Sequence, residues 1–232
     1  RHRPDYSVAA ATRRMIASGR LGILGGTFDP VHFGHLDAAD AARRALNLDQ
    51  VWLIPSCDPP HRPIDPLASG YHRFALVALA VHGDETLRAS DIELTRTGPS
   101  YTADTLRAVA RRGWHASQIF FILGSDAFAE IATWREFPAV HDAANFVVIA
   151  RPGTTLDAAA ARTPSLRGRL GKSIFLVEAR TREVSSSTIR ARLAARQPID
   201  DLVPAAVARH IVAHHLYDAV DNLHGQDSAI SK

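Results

Sequence analysis

Residues Gly25 to His35, GGTFDPVHFGH, constrain this chain more than any other stretch, because they join an apolar run to a helix through a tight turn. Leu21, Gly22, Ile23 and Leu24 precede the turn with the length of a buried strand. Leu36 to Leu46 follows it, rich in alanine and free of Gly and Pro. Strand, turn and helix in this order are the opening of an alternating α/β chain. The paired glycines let the backbone approach a ligand closely, and the unpaired amides at the helix start favour an anion above the strand.

The same alternation continues downstream. Val51 to Pro55 (VWLIP) reads as a second buried strand, followed by the loop Ser56 to Leu67 (SCDPPHRPIDPL), whose four prolines exclude a helix. Tyr71 to Val81 is helical in pattern, with Gly83 as its stop; Leu87 to Leu94 is the least regular strand candidate. Ser100 or Thr102 is placed to cap a helix over Tyr101 to Arg112. Ile119 to Leu123 (IFFIL) is a buried strand turning through Gly124, Ser125 and Asp126 into another helical segment. Phe146 to Ala150 and Ile174 to Glu178 are two further strands. Ser185, Ser186 and Ser187 introduce the basic helix TIRARLAAR, and Pro204 to Leu216 forms a last amphipathic helix.

The expected fold is a Rossmann-like, doubly wound parallel sheet with right-handed crossovers and a small helical C-terminal extension. Its ligand should lie across the carboxyl ends of the strands, at the point where the strand order reverses. One domain over 20–218 is expected, with 1–19 as an N-terminal extension and 219–232 as a polar tail that frays.

Composition narrows the function classes. The net charge of +3 is small for 232 residues and the arginines are scattered among acids, so nucleic-acid binding is not demanded. Cys57 is the single cysteine, which rules out an internal disulfide and suits a cytoplasmic protein. No apolar run approaches the roughly 20 residues of a membrane span, and Arg1 to Gly19 lacks the apolar centre of a secretory signal.

His32 and His35 lie three apart at a helix start, so they can face one side and donate to phosphate oxygens. A structural zinc pair would need further Cys or His ligands at motif spacing, and none is close in sequence. Ser185 to Arg190 offers a second helix start with hydroxyls and a guanidinium, equally readable as an ordinary serine-capped surface helix. Trp134 on residue type alone is a core residue more often than a ligand platform. Arg62 can be a solvated loop arginine, and Asp126 a helix cap. Asp29 and Pro30 shape the turn rather than meet a ligand. His210 and His214, with His215, are a weaker candidate metal pair.

The turn resembles the signature of the nucleotidylyltransferase superfamily, Gly-x-Phe-Asp-Pro-x-His-x-Gly-His, at every position. PPHRP (Pro59 to Pro63), SYTADTL (Ser100 to Leu106), GSD (Gly124 to Asp126), Trp134, RPG (Arg151 to Gly153) and SSSTIR (Ser185 to Arg190) follow in the order found in bacterial nicotinate-mononucleotide adenylyltransferases. Ser187 stands where that family usually has Thr, which keeps the hydroxyl. The resemblance covers about Leu21 to Tyr217.

It implies transfer of the adenylyl group of ATP to nicotinate mononucleotide, with no covalent enzyme intermediate and no nucleic-acid or membrane partner; a homodimer is left open. His32, His35 and Arg190 are implied in catalysis. Gly25, Gly26, Thr27, Phe28, Gly124, Asp126, Arg151, Ser185, Ser186 and Ser187 are implied on the ATP side. Arg62, Thr102, Ala103, Trp134 and Arg135 are implied on the acceptor side, and Mg²⁺ is implied through the ATP phosphates and water rather than through protein ligands. The rivals are the same fold with phosphopantetheine or nicotinamide mononucleotide as acceptor, and a nucleotide sensor without chemistry.

Overall fold

The computed structural model describes residues 19–59, 66–150, 153, 155 and 163–218. Arg62, Arg151 and the polar tail 219–232 therefore lie outside the described residues. Six parallel strands form one sheet: β1 (Leu21–Gly26), β2 (Gln50–Pro55), β3 (Leu87–Ala89), β4 (Ile119–Gly124), β5 (Asn145–Ala150) and β6 (Ile174–Glu178), in the order β3-β2-β1-β4-β5-β6. The helices are α1 (Phe33–Leu46), α2 (Gly70–Ala80), α3 (Thr102–Ala110), the short α4 (Ser125–Ala129), α5 (Ser186–Ala194) and α6 (Ala205–Ala213). The order runs outward from β1 in one direction and from β4 in the other, so the reversal falls between them, as the expected doubly wound sheet requires.

Each apolar strand feeds two cores, because successive side chains point to opposite faces. Phe120 and Ile122 of β4 join Val147 and Ile149 of β5 on one face, under α1, α2, α5 and α6. Ile119, Phe121 and Leu123 join Phe146 and Val148 on the other, under α3 and α4. Gly22 is required by close packing: a Cβ there would stand 2.8 Å from a Val51 methyl and 2.9 Å from a Leu48 methyl. The final helix is no appendage, since Val207, Ala208 and Ile211 complete the first core. Among the described residues no helix is long and apolar enough to cross a membrane.

Two expectations are corrected. The strand expected over 87–94 is only three residues long and pairs at the sheet edge; Ser90 donates its amide to Leu53, and residues 92–95 then turn away. The cap of α3 is Tyr101, without a side-chain hydrogen bond, and neither Ser100 nor Thr102 fills that role. Ser100 Oγ is engaged elsewhere, accepting the Cys57 amide at 2.8 Å across 43 residues. Long-range pairing has overridden the local capping preference.

Asp29, 2% exposed, ties the turn after β1 to distant segments. Its carboxylate accepts the amides of Leu67 and Ala68 and, at 2.8 Å, the Tyr217 hydroxyl. Burial beside that carboxylate pushes the Tyr217 phenol up, so it remains a donor. Arg73, also 2% exposed, donates to the carbonyls of Thr27, Ser56 and Ala68. Together they fix the ends of β1 and β2 against the start of α2. Tyr217→Phe removes one buried donor from Asp29 and should cost about 1–2 kcal/mol of stability in urea unfolding.

His141 is 3% exposed, packs on Phe137 and Phe146, and neither of its ring nitrogens has a hydrogen-bond partner. Burial, with Arg169 nearby, lowers its pKa from 6.5 to about 4. The unfolded chain therefore binds a proton below pH 6.5 that the folded chain refuses until about pH 4, and stability falls across that window. His141→Phe should flatten the decline by up to about 1.4 kcal/mol per pH unit, read as unfolding free energy between pH 7 and 4.

Candidate active site

A cleft of about 390 Å³ opens at the reversal point, between the carboxyl ends of β1 and β4. Gly25, His32, Gly34 and His35 line it from β1 and α1, Gly124 and Asp126 from the turn after β4, and Arg182 and Val184 from the segment before α5. The start of α1 sets its polar end. The Phe33 amide is consumed by the Leu202 carbonyl at 3.0 Å, whereas the Gly34 amide lies in the first turn, where helices have no internal acceptor. Gly34 is also sterically required, since a Cβ would stand 3.1 Å from the Arg182 carbonyl and 3.2 Å from His32 Nδ1.

The two histidines form one unit. Their rings stack with centroids 3.7 Å apart, and the His32 amide donates to His35 Nδ1 at 3.2 Å. That bond occupies the Nδ1 lone pair, so neutral His35 carries its proton on Nε2. Phe28 meets the His35 ring edge-on at 4.9 Å and holds it from the core side. Burial lowers the His32 pKa from 6.5 to about 4 despite the opposing pull of Asp37, so this ring is neutral at pH 7. His32 Nδ1 is buried without a hydrogen-bond partner. An arriving anion would work against that burial penalty, since a nearby negative charge favours the imidazolium.

The second phosphate-type segment packs against the same turn. Ser185 caps α5 by accepting the Thr188 amide at 3.1 Å, and Ser186 donates its hydroxyl to the Pro30 carbonyl at 2.9 Å. Ser187 Oγ lies 2.8 Å from Ser185 Oγ. Arg190 donates to the Asp29 carbonyl at 2.6 Å. The motifs near residues 30 and 190 are thus in direct contact across 156 and 161 residues of chain.

A smaller pocket of about 190 Å³ is lined by Tyr101, Thr102, Ala127, Trp134 and Arg135. Trp134 stands edge-on to Phe121 at 5.8 Å, and the Arg135 guanidinium lies 4.5 Å from the Tyr101 ring centroid. Thr102 and Ala103 are the first two residues of α3, so their amides point out of the helix unpaired. Ala127 borders both pockets.

The structure brings Gly25, His32, His35, Gly124 and Asp126 to one cleft, and Thr102, Trp134 and Arg135 to the other. It does not bring Gly26, Thr27 or Phe28 to the cleft wall, and Ser185, Ser186, Ser187 and Arg190 pack behind it, against Asp29 and Pro30, rather than lining it. Phe28, at 1% exposure with φ +50°, is a core residue, and the Thr27 carbonyl is bound to Arg73. Ala103 turns its side chain into the core and does not line the smaller pocket. Sequence reasoning missed Arg73, Tyr217, Arg182 and Asp37, whose partners are 46, 188 and 145 residues away. No local pattern marks such pairs.

A cytidylyltransferase-like family model matches residues 23–192. The chain is 40% identical over 204 residues to a protein of Roseiflexus sp. (strain RS-1) named "Probable nicotinate-nucleotide adenylyltransferase", covering 87% of this chain and 100% of that one. It is 39% identical over 200 residues to the protein of the same name from Symbiobacterium thermophilum, covering 85% and 95%. In fold it is similar to the Plasmodium falciparum nicotinic acid mononucleotide adenylyltransferase complexed with NaAD, with a TM-score of 0.65, 18% identity, and coverage of 88% and 99%. With the full turn motif at the switch-point cleft and relatives this similar over nearly their whole length, the chain belongs to the nicotinate-nucleotide adenylyltransferase family of cytidylyltransferase-like proteins.

Proposed function

We propose that the protein transfers the adenylyl group of ATP to the 5′-phosphate of nicotinate mononucleotide, giving nicotinate adenine dinucleotide and pyrophosphate. The observation that carries this reading is the pair of pockets meeting at Ala127, one lined by His32, His35 and the start of α1 and the other by Trp134, Thr102 and Arg135, a combination suited to a phosphate chain beside a flat ring. The names of the relatives and the ligand of the structural neighbour agree with it.

An oxygen of the acceptor phosphate forms a bond to the α-phosphorus, and the bond from that phosphorus to the bridging oxygen breaks, with the electron pair leaving on pyrophosphate. The attacking phosphate is already ionised, so no general base is needed. What the protein must supply is alignment of two anions and stabilisation of charge growing on the leaving group. His35 Nε2–H and His32 are placed to donate near the α-phosphate, with the Gly34 amide beside them. The hydroxyl of Ser187, the α5 start and Arg190 are assigned to the departing pyrophosphate.

Among the described residues no three His, Cys, Asp or Glu side chains converge on a metal-sized site. In this reading Mg²⁺ enters as part of the MgATP substrate, held by phosphate oxygens and water. On the acceptor side the Trp134 ring offers a stacking face for the pyridine, and the unpaired Thr102 and Ala103 amides suit its carboxylate better than an amide group. This also disfavours phosphopantetheine, which has no such ring. A cytoplasmic location, where ATP is at hand, goes with the reading.

The deciding assay is pyrophosphate release on mixing the protein with MgATP and nicotinate mononucleotide, with nicotinamide mononucleotide in parallel. Release is expected, faster with the acid; none at high protein concentration would favour a nucleotide sensor. His35→Ala should lower kcat by about 10²-fold or more, the scale of a single transition-state donor, and unchanged turnover would remove His35 from the mechanism. Trp134→Ala should raise the KM for nicotinate mononucleotide by about 10-fold while leaving the KM for ATP within a factor of two, since ring stacking is worth about 1–2 kcal/mol.

A further inference from the structure

Arg182 belongs to none of the motifs above, yet it lines the larger cleft. Its guanidinium is fixed along one edge and on one face. Nε donates to Asp37 Oδ2 at 3.0 Å and Nη2 to Asp37 Oδ1 at 2.7 Å, the two-pronged fork that best orients an arginine. One face lies on the Phe33 ring, 3.8 Å from its centroid. The backbone amide of Arg182 also donates to Asp37 Oδ2, at 2.9 Å, so the side chain and its own main chain are clamped to one carboxylate.

Such a group has little to offer a phosphate. Its charge is balanced by Asp37, and two of its in-plane donors are spent. The remaining asset is a rigid flat cation, and stacking on an aromatic face is what arginine in this state does well. The cleft beside it supplies the matching surroundings, because Ile149, Ala150, Ala179 and Val184 form an apolar wall. The start of α1 is close by, since Phe33 is its first residue and the Arg182 carbonyl lies beside Gly34; the plane of the guanidinium and the apolar wall, rather than distance from that helix start, are what favour a ring.

We propose that Arg182, held by Asp37 and backed by Phe33, is the stacking platform for the purine ring of the nucleotide donor, and so a binding determinant of adenine rather than of the triphosphate. The assignment rests on the adenylyl-transfer reading for the identity of the donor, but its test does not require turnover. Binding of adenosine and of pyrophosphate to the full chain is measured separately by calorimetry for the wild type, Arg182→Ala, Arg182→Lys and Asp37→Asn.

Arg182→Ala should weaken adenosine binding by about 10-fold and leave pyrophosphate binding within a factor of two, the scale expected for a cation–π stack. Arg182→Lys should resemble Arg182→Ala, because lysine keeps the charge but loses the plane and the fork. Asp37→Asn should fall between them and the wild type, since the guanidinium remains but is no longer clamped. Melting curves for each variant identify any that fail to fold, and Arg182→Lys is the variant least disturbing to the fold.

Equal adenosine affinity in Arg182→Ala overturns the proposal. So does a loss confined to pyrophosphate, which would make Arg182 a phosphate contact, or full rescue by lysine. In kinetics the same variants should raise the KM for ATP and not that for nicotinate mononucleotide. If the wild type binds adenosine through Arg182 but releases no pyrophosphate, the adenylyl-transfer reading fails and the platform stands.

Discussion

The active-site turn depends on Asp29. A carboxylate at 2% exposure must have its lone pairs filled, and here the donors come from two remote places: the amides of Leu67 and Ala68 at the end of the proline loop, and the hydroxyl of Tyr217 near the end of the described chain. Its main-chain carbonyl takes Arg190. One residue in the middle of GGTFDPVHFGH thus binds its turn to the segment before α2, to α5 and to the segment after α6. The adjacent Phe28 sits at φ +50°, a conformation unfavourable for a bulky side chain, and persists because burial and these bonds over-determine it.

Arg73 performs the complementary task. Where Asp29 gathers donors, Arg73 gathers acceptors: the carbonyls of Thr27 and Ser56, just past the ends of β1 and β2, and that of Ala68, just before α2. The sheet positions the loops coarsely, and these two buried charged groups position them finely. Catalysis by alignment requires such rigidity, since reacting groups displaced by about an ångström can lose much of their advantage. Cleft-lining side chains are held by the same logic: His35 by the His32 amide and Phe28, Arg182 by Asp37 and Phe33.

The electrostatics of the cleft are those of a site prepared for anions but not saturated with cations. His32 is held neutral by burial, and Arg182 is balanced by Asp37. In the proposed reading the attraction for phosphate falls chiefly to backbone amides at helix starts. Dipoles of this kind need no reorganisation when charge moves from the α-phosphate to the leaving group.

Much of this protein was legible in the order of its residues. Buried strands such as IFFIL and FVVIA, each followed by a turn and a helix, determine a parallel α/β sheet, because only a sheet covered on both faces can bury such runs. The turn motif and the serine-led helix were likewise visible, since close backbone approach and helix starts are local chemistry. The short edge strand at 87–89 and the cap of α3 were misread, because the Leu53 carbonyl and the Cys57 amide, distant in sequence, outcompeted local preferences. That Phe28 is core and Arg182 faces the cleft was decided only by the folded chain. Sequence specifies what local backbone conformation and periodicity can encode; partnerships such as Asp29 with Tyr217, spanning 188 residues, exist only once the sheet has brought its two ends together.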